Sequence, residues 1–225
     1  MTRRILALLL GALTATLAPA ASAQDQPAPF AREIGAFEKA DAQAMPPRQG
    51  VLFLGSSSIR MWKTLARDFR GIPAINRGFG GSQIADSIRY AERIVIPYAP
   101  RTIVFYAGDN DLAAGKSPQQ VLADFQAFAA KVHAALPATR ILFVSIKPSI
   151  ARWEMIERIR EANALVEAYA ATSDRLDFVD IASAMLGPDG RPRPELFRAD
   201  GLHMTPAGYA IWRDAVAAAL RREPI

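Results

Sequence analysis

Five short apolar runs, each leading into a stretch with helical spacing, constrain this chain more than any other feature. The runs are Val51-Leu52-Phe53-Leu54, Ala74-Ile75-Asn76, Thr102 to Tyr106, Arg140 to Ile146, and Leu176 to Ile181. Several show little polar–apolar alternation, as strands covered on both faces do. Between and after them lie helical patterns. Pro118 to Leu136 carries Val121, Leu122, Phe125 and Phe128 at helical intervals, a second pattern spans about Arg152 to Thr172, and a third runs from Pro206 to Arg222. The last has Thr205 as a good N-cap and proline in its first turn. An earlier helix, Arg32 to Gln43, sets Ile34, Phe37 and Ala40 on one side and stops at Pro46-Pro47. Strand followed by helix, five times over, predicts an α/β fold: a five-stranded parallel sheet with helices on both faces, a three-layer sandwich.

Composition narrows the chemistry. At 51% hydrophobic and 22% charged, the 225 residues are ordinary globular material. Cysteine is absent, which excludes disulfides, thiol catalysis and cysteine-ligated metal. Two histidines, His133 and His203, exclude any mechanism that needs a cluster of them. The net charge of +5 alternates in sign along the chain and forms no basic stripe with interleaved aromatics, so no nucleic-acid partner is expected.

The N-terminus reads as an address label. Arg3 and Arg4 precede an apolar segment, Ile5 to Leu17, and Ala21-Ser22-Ala23 has the small-x-small form of a cleavage site. The apolar run is short for a membrane span of roughly 20 residues. The expectation is a signal peptide over 1–23, a linker over 24–31 and a single domain over 32–225, periplasmic or secreted, with no stable membrane span after cleavage. The sequence leaves the oligomeric state open.

In a parallel sheet the chemistry belongs at the carboxyl ends of the strands. The segments there are Gly55-Ser56-Ser57-Ser58, Gly78-Phe79-Gly80-Gly81-Ser82, Gly108-Asp109-Asn110-Asp111 and Lys147-Pro148-Ser149, followed by the loop holding Asp200-Gly201-Leu202-His203. A serine becomes a nucleophile when a base takes its proton and an acceptor holds that base in one tautomer. Asp200, three residues before His203, can reach one imidazole nitrogen within a tight turn and leave the other free. His133, within a helical pattern, reads as a surface histidine. Ser56, Ser57 and Ser58 all qualify as nucleophile, and helix capping is the alternative use for them. Gly80-Gly81 can bring a backbone N–H to an oxyanion, and Asn110 can offer its side-chain amide. An α/β-hydrolase elbow would need Gly-x-Ser-x-Gly, and Ile59 stands where the second glycine would be.

These blocks, in this order, resemble the GDSL/SGNH hydrolase family over nearly the whole chain after residue 23. Gly-x-Asn-Asp at 108–111 and Asp-x-x-His at 200–203 are the most specific matches. Carried over, the resemblance implies Ser57 as nucleophile and Asp200 with His203 as the rest of the triad. It implies an oxyanion hole made by the N–H groups of Ser57 and Gly81 and by Asn110. It also implies a flavodoxin-like sandwich with an open site, cleaving esters or thioesters without a metal or other cofactor. One departure is Ser56, where the family usually has an aspartate that is not the triad acid.

The expected substrate is a small-molecule ester: lipid, aryl ester or acetylated sugar. The lack of a long insertion favours short acyl chains. The competing readings are a flavodoxin-like protein that binds phosphate or nucleotide through Gly78-x-Gly80-Gly81 without catalysis, and a catalytically dead relative that binds carbohydrate. Lys147 and Ser149 read either as pocket lining or as a solvated loop. Trp62 and Trp153 offer an apolar wall, with core packing the commoner use. Asp109 and Asp111 lack the full calcium-loop pattern and read as loop hydrogen-bonders.

Overall fold

The computed structural model describes residues 28–222, so the predicted leader and positions 24–27 of the predicted linker lie outside the described residues. In chain order the helices are α1 (Ala31–Gln43), α2 (Ser57–Arg60), α3 (Leu65–Asp68), α4 (Ile84–Ile94), α5 (Asp109–Ala113), α6 (Pro118–Ala135), α7 (Ile156–Ala170) and α8 (Pro206–Leu220). The strands are β1 (Val51–Gly55), β2 (Ala74–Gly78), β3 (Thr102–Tyr106), β4 (Arg140–Val144) and β5 (Leu176–Val179). They form one sheet in the order β2-β1-β3-β4-β5, every pair parallel. This is the flavodoxin-like strand order.

Successive strand residues feed opposite layers. Leu52, Leu54, Ile103, Phe105, Ile141 and Phe143 pack with residues of α1, α4, α6 and α7. Val51, Phe53, Val104, Tyr106, Leu142 and Val144 pack with α2, α3 and α8. Aromatic contacts fill both layers. Phe105 stacks on Phe128 with centroids 4.4 Å apart, and Trp212 meets Tyr106 edge-on at 4.6 Å. Strand β1 ends on glycine for a steric reason. A Cβ at Gly55 would lie 1.9 Å from the Tyr106 carbonyl oxygen, and its φ is +143°.

Two strands are shorter than the apolar runs predicted. β4 stops at Val144 and β5 at Val179 because the next backbone groups find side chains instead of a ladder. Ser145 Oγ accepts from the N–H of Ile181 and Ala182, and Asn163 on α7 bonds both the N–H and the carbonyl of Ile146. The predicted helix from about 152 begins with a 3₁₀ turn, Trp153–Met155, before α7. At the other end, Phe30 meets Phe79 edge-on at 5.2 Å, so this part of the predicted linker is packed. Helix α1 is fastened by Arg93–Glu38 at 2.6 Å and by the largely buried trio Asp41, Arg77 and Tyr98. Among the described residues, no helix is long and apolar enough to cross a membrane.

Candidate active site

In this strand order the chain leaves β1 toward one edge and β3 toward the other, which opens a crevice at their carboxyl ends. Ser57 follows β1 and Asn110 follows β3, so the sheet brings both to that crevice. Ser57 is the first residue of α2, and its N–H therefore has no partner within the helix. α2 is a single turn, so little dipole supports that N–H. Ser56 occupies the N-cap position, but its side chain makes no capping bond, so capping, the alternative use for the serines, is not seen there.

His203 reaches the crevice from the loop before α8. Its Nε2 lies 3.0 Å from Ser57 Oγ and its Nδ1 lies 2.7 Å from Asp200 Oδ2. Gly201, at φ +63°, makes the turn that folds Asp200 back on His203. The other carboxylate oxygen, Oδ1, accepts from the backbone N–H of Leu202 and of His203, each at 2.9 Å. The bond from the His203 ring, with those two N–H groups, holds the Asp200 carboxyl well below the usual carboxylate range. An alcohol hydrogen-bonded to an imidazole, itself held by a carboxylate, is the arrangement that general-base activation requires.

In the loop after β2, Gly81 is exposed at φ +86°, with open space where a Cβ would stand. Asn110 donates its amide to the Ser82 carbonyl at 3.0 Å, which ties the loop after β2 to α5. Asp111 is fully buried and accepts from Lys116 and from the N–H groups of Gly108 and Ile84. The segments after β2 and β3 are thereby cross-linked beside the crevice.

Several side chains fall differently from their expectation. Lys147 is neither pocket lining nor solvated: it is 1% exposed and donates to Asp109 Oδ2 at 2.7 Å and to the Tyr106 hydroxyl at 3.2 Å. Ser149 is also buried, and its hydroxyl has no partner among the described residues. Trp62, by contrast, takes the commoner use expected of it: it is core, packed against Phe53, Phe69, Tyr209 and Trp212. Trp153 is half-buried under the Arg191 guanidinium, 5.1 Å from its ring centroid. His133 is half-buried rather than on the surface, bonded through Nε2 to the Thr139 carbonyl, and burial lowers its pKa. Arg152 had no signal in the sequence beyond being one arginine among many. It donates to Asp109 Oδ1 at 2.5 Å and to Asn110 Oδ1 at 3.1 Å. Among the described residues, no group of three His, Asp or Glu side chains could hold a metal ion.

Burial alone would raise the Asp109 pKa, but the charges of Lys147 and Arg152 outweigh it and hold the group down. The same pairing raises Lys147 against its own desolvation. Asp109, lowered in the folded state, contributes stability above its unfolded value of about 3.9 and loses it as pH falls through the folded value. Lys147, raised, contributes below about 10.4 and loses it as pH rises through the folded value. Replacing Lys147 by methionine leaves Asp109 buried with Arg152 alone. Urea unfolding at pH 7 is expected to show a loss of about 3–5 kcal/mol. A loss under 1 kcal/mol would mean that the pair is not buried as described.

A parallel α/β sandwich with an alcohol, an imidazole and a carboxylate linked at its switch point is the equipment of an acyl hydrolase. The chain belongs to the GDSL-like lipase/acylhydrolase family, whose model matches residues 49–211, and it is an ester hydrolase. No curated protein matches it by sequence. Solved structures share the fold. A GDSL-like lipase from Bacteroides thetaiotaomicron aligns with TM-score 0.72 at 23% identity, covering 83% of this chain and 96% of that one. An acetylxylan esterase from Geobacillus stearothermophilus aligns with TM-score 0.64 at 15% identity, covering 80% and 97%.

Proposed function

We propose that this ester hydrolase works through an acyl-enzyme on Ser57, favours acetyl or other short acyl groups, and acts outside the cytoplasm. The observation that carries the reading is the unbroken relay from Asp200 through His203 to Ser57, at 2.7 and 3.0 Å. His203 Nε2 takes the hydroxyl proton as Ser57 Oγ attacks the acyl carbon. The carbonyl oxygen becomes an oxyanion, held by the N–H groups of Ser57 and Gly81 and by the Asn110 amide. The imidazolium returns its proton to the leaving alkoxide, and the alcohol departs. Water then repeats the sequence, frees the acid and restores Ser57.

The exposed Gly81 and the open space beside it leave the site accessible to substrate. The acetylxylan esterase among the structural neighbours supports an acetyl group as the one removed. Export rests on the leader-like segment at 1–23.

The test is a panel of p-nitrophenyl esters of increasing chain length, with acetylated sugars alongside, and labelling by a serine-reactive fluorophosphonate. Fastest turnover on acetate and a single label on Ser57 are expected. No hydrolysis and no label, with stabilisation by a nucleotide or glycan instead, would replace the enzyme with a binding protein. Within the same assay, Asn110→Ala is expected to lower kcat by about 10²–10³, the usual effect of one lost oxyanion donor. A loss confined to KM would remove Asn110 from that role.

A further inference from the structure

An amide is a useful oxyanion donor in one orientation only. Turned end for end, Asn110 would present Oδ1, an acceptor, to a developing negative charge. Both ends of the side chain are held against that turn. Nδ2 gives one hydrogen to the Ser82 carbonyl at 3.0 Å, and its second hydrogen remains for a ligand. Oδ1 accepts from Arg152 Nη2 at 3.1 Å.

Arg152 is itself fixed. Its Nη1 donates to Asp109 Oδ1 at 2.5 Å, while Lys147 takes the other oxygen at 2.7 Å from within the core. Asp109 immediately precedes Asn110 on α5, so one guanidinium spans two consecutive residues. The loop that carries Arg152 is docked in turn on the turn before His203: the Ala151 N–H donates to the Gly201 carbonyl at 3.0 Å.

We infer that Arg152 is a positioning residue of the oxyanion hole. Its two-pronged head clamps the Asn110 amide with the N–H edge toward the reacting oxygen, and its charge polarises that amide further. The inference rests on the proposed role of Asn110. The fork matters as much as the charge, because an ammonium can keep the bond to Asp109 but has no second planar N–H at the same spacing.

Arg152→Lys therefore separates the clamp from the fold. Lysine keeps a cation beside Asp109, and Lys147 still holds the other oxygen, so thermal unfolding is expected within a few degrees of wild type. With p-nitrophenyl acetate, kcat is expected to fall about 10- to 100-fold with KM nearly unchanged, part of the loss from deleting the donor itself. Arg152→Met is expected to fall at least as far. In an Asn110→Ala background, Arg152→Lys is expected to cost nothing further.

Wild-type kcat in Arg152→Lys would overturn the clamp. So would a loss confined to KM, which would place Arg152 on the substrate. A loss that multiplies that of Asn110→Ala would overturn it too, because Arg152 would then act independently. Failure of the underlying reading looks different: wild type neither hydrolyses esters nor takes the fluorophosphonate, or Asn110→Ala is as active as wild type.

Discussion

Alanine in place of Ser57 is expected to lower kcat on p-nitrophenyl acetate by about 10⁵- to 10⁶-fold and to abolish fluorophosphonate labelling. The side chain is half-buried and its hydroxyl is bonded to His203, so its loss leaves no buried group stranded. Thermal unfolding should hardly move. KM should stay near wild type, because the hydroxyl acts in the chemical step and the rest of the crevice is unchanged. The result also decides among neighbours. Ser56 and Ser58 are each 3% exposed, and the distance to the imidazole belongs to Ser57. Activity within tenfold of wild type would make another group the nucleophile and dissolve the proposed relay.

Asp200→Asn is expected to reduce kcat by about 10⁴-fold without disturbing the fold. One of the two carboxylate oxygens is already committed to the backbone. Oδ1 takes two backbone N–H donors, from Leu202 and His203. In asparagine the carbonyl oxygen must occupy that place, which turns the NH₂ toward His203 Nδ1. That nitrogen must then accept, so the ring proton moves to Nε2, the atom facing Ser57. The imidazole would be oriented correctly and unable to take the proton. The Asp200 side chain is 48% exposed, so water can compete for the new amide, and the rate in the variant should rise with pH as hydroxide substitutes for the base. A loss below tenfold would mean that solvent, rather than the carboxylate, sets the tautomer.

The sheet was readable in the sequence because its signals are local. Val51 to Leu54 and Ile103 to Phe105 are buried on both faces and carry no polar punctuation. The overrun at Ile146 and Ile181 has a non-local cause: Ser145 and Asn163 take backbone groups that an apolar pattern assigns to a ladder. At the start of helix α4 the Asp86 carboxylate accepts from the Gln83 N–H at 2.9 Å, while the Gln83 side chain makes no capping bond, so the usual serine or threonine signal is missing. The relay was legible as residue types at strand ends. The layer behind it was not. Lys147 reads in one dimension as a loop cation, and its meaning comes from Asp109, 38 residues earlier. Arg152 gains its role from the same partner, 43 residues away. Charges paired across separate loops leave no spacing to detect.

Ser57 and His203 are separated by 146 positions along the chain. Contacts of such long range tend to close late in folding. A half-assembled intermediate, with its central strands paired and its last loop and helix still undocked, would be catalytically silent. Recovery of turnover during refolding should therefore lag behind recovery of helical and strand signal, which makes the esterase assay a clock for the final act of assembly.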